Sequence, residues 1–203
     1  MSAVTLCIFA RAPVAGRVKS RLAAEIGAEA ALAAHRALVE GALERLACID
    51  GVASELWLDD PDHEGARRWA QPWGLPLRAQ AGGDLGQRMD LALQSCVASG
   101  ARGIVVGTDC PDIDARYVRD AVDALDSHDA VLGPAADGGY GLVGARRPVP
   151  EIFRGILWGS AGVLAATLAR AAAAGVSVAR LPEIWDVDTA ADWRRYLAWR
   201  EGC

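Results

Sequence analysis

The chain has 203 residues and a mass of 21.3 kDa, and 52% of it is hydrophobic, which excludes a disordered polymer and is enough for one substantial core. A formal net charge of -5 argues against a general nucleic-acid or anionic-membrane binder, so any basic cluster is a local feature suited to a small anion. Cys7, Cys48, Cys96, Cys110 and Cys203 form no Cys-x-x-Cys pair and no zinc-like spacing with histidine, which predicts a reduced, cytoplasmic setting. The opening apolar run is too short for a signal peptide, and no run reaches membrane-spanning length.

Residues 4–10 are almost continuously apolar, the pattern of a strand buried on both faces. An alanine-rich stretch over 27–47 places Leu32, Val39, Leu43 and Leu46 at helical spacing, and "VASELWLDD" follows as a second strand, giving a βαβ unit. A short helix is expected over 64–70, a short strand over 75–80, and a helix in which Met89, Leu93 and Val97 recur every fourth residue. "GIVVGTD" reads as a central strand. Val118, Val122 and Leu125 mark another helix, "AVLGP" and "GYGLVGA" two strands, and the tail adds a helix over 160–174, a strand over 176–181 and a closing helix with Trp193 and Leu197. This alternation predicts one α/β domain with a mostly parallel sheet covered on both faces. Ligands in such folds bind beyond the carboxyl ends of the strands.

Chemistry-bearing residues gather at those ends. "FARAPVAGRVKSRL" sets Arg11, Arg17, Lys19 and Arg21 behind the first strand, with Pro13 fixing the turn and Gly16 allowing close backbone approach, an arrangement suited to a diphosphate. "GTDCPDID" projects Asp109 beyond the central strand as a ligand for Mg²⁺ or Mn²⁺, while Asp114 caps the next helix. In "DVDTAAD", Asp188 or Asp186 is a second metal ligand, and Thr189 with Asp192 caps the last helix. "GPAADGGYGLVG" offers Asp137 as a base beside Gly138, Gly139 and Tyr140, and also reads as a hairpin turn. "QAGGDLGQRM" brings Asp84 and Arg88, read equally well as a loop leading into a helix or as a lid over a nucleotide. Trp158 is the tryptophan expected to line a site, and the remaining ones are assigned to packing, with a homodimer surface left open. No catalytic triad, Walker A or Gly-x-Gly-x-x-Gly sequence is present.

These five motifs, in this order, resemble the radical-SAM/selenodomain-associated or arsenosugar-biosynthesis glycosyltransferases, small bacterial members of the GT-A-like superfamily. The resemblance implies a three-layer α/β/α sandwich with a Rossmann-like mixed sheet, a divalent metal, a nucleotide sugar (UDP-, GDP- or dTDP-linked) as donor and a small-molecule acceptor. It implies nucleotide contacts from Ala10, Arg11, Pro13, Gly16, Lys19, Arg21, Asp84, Arg88 and Thr108, with Lys19, Arg21 and Asp137 catalytic. Asp109 and Asp188 would hold Mg²⁺ or Mn²⁺, and Gly138, Gly139, Tyr140 and Trp158 would face the sugar or acceptor. An Asp109→Asn change is expected to abolish turnover with little change in melting temperature. "KSRL" also resembles the phospholactate and molybdenum-cofactor guanylyltransferases, which consume a nucleoside triphosphate and release pyrophosphate. Ala10-Arg11-Ala12-Pro13 departs from their usual glycine-rich opening, so glycosyl transfer ranks first, nucleotidyl transfer second, and a non-catalytic nucleotide-binding protein third.

Overall fold

In the computed structural model, which describes residues 3–202, seven strands form one sheet: β1 (Val4–Ala10), β2 (Ala53–Leu58), β3 (Leu77–Ala79), β4 (Arg102–Gly107), β5 (Ala130–Pro134), β6 (Tyr140–Ala145) and β7 (Val178–Arg180). Their spatial order is β3-β2-β1-β4-β6-β5-β7, and every neighbouring pair is parallel except those made by β6, which runs antiparallel to both β4 and β5. The helices are α1 (Ser20–Ile26), α2 (Ala28–Leu46), α3 (Glu64–Ala70), α4 (Leu85–Ala98), α5 (Ala115–Ser127), α6 (Val163–Ala173) and α7 (Ala190–Glu201).

The unbroken apolar run of β1 follows from burial on both faces. Leu6, Ile8 and Ala10 join the cluster that holds Val39 and Leu43 of α2, Ala66 of α3 and Val118 of α5. Cys7 and Phe9 point the other way, into a cluster with Met89 and Leu93 of α4 and Ala171 of α6. The three-layer α/β/α sandwich expected from the sequence is therefore observed. Leu6 and Ile8 are fully buried, and truncating either to alanine should cost about 2–5 kcal/mol.

Local signals end the helices where the sequence places them. Asp114 Oδ1 accepts from the Tyr117 amide at 2.8 Å to cap α5, and Thr189 with Asp192 closes a reciprocal capping box on α7. Two features depart from the sequence reading. The basic loop does not run on to the long helix, because residues 20–26 wind into α1 and Gly27, at φ +88°, turns the chain into α2. Two 3₁₀ turns, Gln71–Trp73 and Pro150–Phe153, sit where no periodic pattern reveals them, each opened by a proline near its start.

The strand order positions the site. It reverses between β1 and β4, so their connections leave in opposite directions and open a crevice beyond Ala10 and Gly107. Because β6 is antiparallel to β4, pairing Leu142 with Val106, its first residues meet the last residues of β4. The chain from 184 onward is held to the same edge: Ile184 bridges Ala135, and the Val187 amide donates to the Asp109 carbonyl at 3.0 Å.

Candidate active site

A cavity of about 700 Å³ opens at this edge, lined from the loop after β1, the start of α4, the end of β4, the β5–β6 turn and residues 186 and 188. Of the residues singled out in the sequence, Ala10, Arg11, Lys19, Asp84, Arg88, Thr108, Asp109, Asp137, Gly139, Tyr140, Trp158, Asp186 and Asp188 line it. They are spread over almost the whole chain.

Lys19 is the hub. Its side chain is only 5% exposed, its Nζ lies 2.9 Å from Asp109 Oδ2, and it donates to the Val187 carbonyl at 2.6 Å. Its backbone is left-handed, at φ 49° and ψ 51°, and no other non-glycine among the described residues has positive φ. Such strain costs on the order of 1 kcal/mol or more and persists where the surroundings over-determine it, here through the buried amine and its two oxygen partners. Arg21 extends the pattern one turn outward, with Nη1 at 2.7 Å from Asp188 Oδ2.

The rest of the first loop is tethered. Asp59, just past β2, accepts from the Ala12 amide at 2.6 Å and meets the Arg11 guanidinium at 3.5 Å. Gln80, just past β3, donates to the carbonyls of Ala10 at 3.1 Å and Trp57 at 3.0 Å, and its Oε1 accepts from Arg88 at 3.4 Å. His35 contributes from α2. Its Nε2 sits 2.9 Å from the Arg11 carbonyl, and burial, the leading cause, pulls its pKa below the ordinary histidine range, so it is neutral and donates that hydrogen bond. Asp59, Gln80 and His35 escaped the sequence reading. The first two had one signal, a polar residue directly behind a short strand.

Asp137 Oδ1 accepts from the Gly139 amide at 2.8 Å across the β5–β6 turn. Asp186 stands nearby, its pKa raised first by burial and then by the charges of Asp137 and Asp188. Cys110, beneath them, is kept a neutral thiol by burial. Tyr140 lies edge-on to Trp158, with ring centroids 6.2 Å apart; its hydroxyl faces buried Thr167 without a well-formed hydrogen bond, and burial raises its pKa. α4 passes so close to this wall that a Cβ on Gly86 would fall 2.5 Å from the Trp158 ring.

Four placements correct the sequence reading. Pro13, Gly16, Arg21 and Gly138 are not among the lining residues. Pro13 instead packs toward Gly65 of α3, and Gly16 serves the turn at φ +74°. Arg21 is two-thirds exposed and touches Asp188 from outside the cavity. Gly138, at φ +87°, is a packing glycine, since a Cβ there would lie 2.1 Å from the Ala161 carbonyl oxygen. Asp84 lines the cavity as expected, and its carboxylate accepts from the Gln87 amide at 2.9 Å as the cap of α4, so that loop leads directly into a helix.

Asp109 and Asp188 supply hard carboxylate oxygens, the donor type for Mg²⁺ or Mn²⁺. Among the described residues no three His, Cys, Asp or Glu side chains converge as a complete metal cluster. Each of the two carboxylates already meets a cation, Asp109 with Lys19 and Asp188 with Arg21, so an ion held there would need water and substrate phosphate to complete its shell, as Mg²⁺ commonly does.

Comparisons with known proteins agree with this architecture. The family described as "Uncharacterized protein conserved in bacteria (DUF2064)" matches residues 42–160. A crystal structure from Desulfovibrio desulfuricans, described as a "putative nucleotide-diphospho-sugar transferase", is 33% identical with TM-score 0.83, covering 93% of this chain and 84% of that one. CMP:2-keto-3-deoxy-manno-octonic acid synthetase, solved with CTP, shares the fold at 15% identity and TM-score 0.65, with 99% of each chain covered. The 4-diphosphocytidyl-2C-methyl-D-erythritol synthase of Anaerococcus prevotii does so at 10% identity and TM-score 0.64, over 98% of this chain and 96% of that one. No curated protein matches the chain. No helix among the described residues is long and apolar enough to cross a membrane.

Proposed function

The chain belongs to the bacterial DUF2064 family and has the GT-A-like fold, and from that premise we propose that it is a glycosyltransferase moving a sugar from a nucleotide-diphospho-sugar to a small acceptor. It is an enzyme of the transferase class; the proposal concerns the group moved, a Mg²⁺ or Mn²⁺ requirement, a cytoplasmic location and membership in the arsenosugar-type branch that its motifs resemble. One observation carries the reading. Cations from the β1 loop and α4 face carboxylates from the β4, β5–β6 and 186–188 segments across a single cavity large enough for a nucleotide sugar.

In this reading Lys19, Arg11 and Arg88 meet the diphosphate oxygens. As the bond between the sugar's anomeric carbon and the diphosphate breaks, negative charge grows on the leaving oxygen, and a cation fixed there in advance is worth about 2.7–4 kcal/mol of barrier. Lys19 is suited to this because its position is set before substrate arrives, by Asp109, by the Val187 carbonyl and by its own constrained backbone. Arg21 is a positioning residue that orients Asp188. Asp137 accepts the proton of the acceptor hydroxyl. A Mg²⁺ or Mn²⁺ ion held by Asp109 and Asp188 would neutralise the diphosphate.

Nucleotidyl transfer is the second reading. It is favoured by Arg11, whose side chain is 61% exposed and able to leave Asp59 for a third phosphate. The two reactions release different products. Incubation with Mn²⁺ and either nucleotide sugars or nucleoside triphosphates, followed by assay for nucleoside diphosphate and for pyrophosphate, separates them. Release of diphosphate from a nucleotide sugar is expected. Pyrophosphate release from a triphosphate, with none from the sugars, would overturn glycosyl transfer.

A further inference from the structure

The cavity is divided by charge, and the division says what kind of group its far half accepts. Every cation in the lining, Arg11, Lys19 and Arg88, comes from the first half of the chain, and the lining residues between 135 and 188 include no lysine or arginine. The carboxylates of that far half also differ among themselves. Asp188 is matched by Arg21, and at the junction of the two halves Asp109 is matched by Lys19. Among the described residues, neither Asp137 nor Asp186 has a lysine, arginine or histidine nitrogen within 4.0 Å. The charge of Lys19 does reach Asp186, but its amine is already committed to Asp109 and the Val187 carbonyl.

We infer that the half of the cavity beyond the diphosphate selects uncharged, hydroxyl-bearing groups, with Asp186 and Asp137 as the residues that reject anionic ones. The inference rests on the nucleotide-sugar reading and adds the chemical class of the transferred sugar. A neutral sugar offers hydroxyl donors to two acceptor-only carboxylates and an apolar ring face to Trp158, whose neighbour Leu157 is exposed at the same segment. A uronate or phosphorylated group would instead bring a negative charge against two carboxylates, with no lysine or arginine on that side to receive it and with the divalent ion of the donor reading taken up by the diphosphate. Charge repulsion built into a site in this way is a specificity device in its own right.

The test is binding of matched nucleotide sugars carrying the same base, one a neutral hexose and one the corresponding uronate, to the full chain with Mn²⁺, with the nucleoside diphosphate alone as reference. Wild type is expected to bind the hexose form at least about tenfold more tightly, as one uncompensated like-charge contact would give. Asp186→Asn, and independently Asp137→Asn on the exposed turn, should shrink that ratio to about threefold or less. Equal or tighter binding of the uronate by wild type, or a ratio unchanged in both variants, would overturn the inference while leaving the donor reading intact. If no nucleoside diphosphate binds, the donor reading fails first and the inference falls with it.

Discussion

Opposite edges of the same sheet carry charge clusters of similar composition and contrary character. Where β5 and β7 begin and β6 ends, Asp129 receives Arg146 at 3.2 Å, Arg147 at 3.0 Å, and the Ser177 amide and hydroxyl at 3.1 and 3.0 Å. The cavity of the candidate site does not include it, and its partners saturate its oxygens. At the carboxyl edge, Lys19, Arg21, Asp109 and Asp188 pair in the same way, but around open space, on one strained residue, and beside two carboxylates left without cations. A closed network staples strands. An open one holds charge ready for a ligand, at some cost in stability.

The contrast is broken most severely at Lys19. Lys19→Ala removes a buried cation from two oxygens, and we expect about a hundredfold or greater loss of turnover together with a fall in stability of about 2–4 kcal/mol, measured by steady-state kinetics and denaturant unfolding. Asp109→Asn tests the same pair from the wetter side. The structure revises the expectation that its melting temperature stays put: the change leaves a nearly buried ammonium with one carbonyl, so we expect turnover to be abolished and the melting temperature to drop by several degrees.

At the opposite edge the effects should separate. Asp129→Asn is expected to cost about 1–2 kcal/mol at neutral pH while leaving nucleotide binding alone. Hydrogen bonds, first from Arg147 and then from the Ser177 amide, hold the Asp129 carboxyl well below the usual range. Its contribution is therefore present above the ordinary carboxylate pKa of about 3.9 and is lost as pH falls through the lower folded value, so the gap between wild type and variant should close in acid. A loss of nucleotide affinity would mean the two edges are coupled.

The smallest effect should come from His35. Its folded pKa lies below the unfolded value because burial disfavours the charged ring, so protonation favours the unfolded chain. Melting temperature should fall as pH drops below about 6.5, and His35→Gln should flatten that slope. An identical slope in the variant would place the acid sensitivity elsewhere.

Much of this architecture was legible because its signals are local. The unbroken apolar run of β1 announces burial on two faces, and Asp114 and the Thr189/Asp192 pair announce helix starts whose caps are intact. Motifs behind strands were legible as site material because strand ends in such a sheet converge. What stayed hidden depends on distant contacts. Nothing in the sequence says that Lys19 is buried, since its burial is made by Asp109 and Val187, ninety or more positions away. Likewise Gly138 and Gly86 read as ligand-facing or neutral glycines until Ala161 and Trp158 come to lie against them. Gln80 and Asp59 are single polar residues, and only the register of β1 with β2, and of β2 with β3, turns them into supports for the first loop.

The most direct test of the central claim is thermal stabilisation by UDP, GDP, dTDP, their sugars, GTP and CTP, each with and without Mn²⁺. A ligand at about a hundred times its dissociation constant adds about 2.7 kcal/mol, which at this chain length raises the melting temperature by several degrees. We predict Mn²⁺-dependent stabilisation by one nucleoside diphosphate and its sugars, lost in Lys19→Ala. Stabilisation by no nucleotide, or by triphosphates alone, would contradict the account.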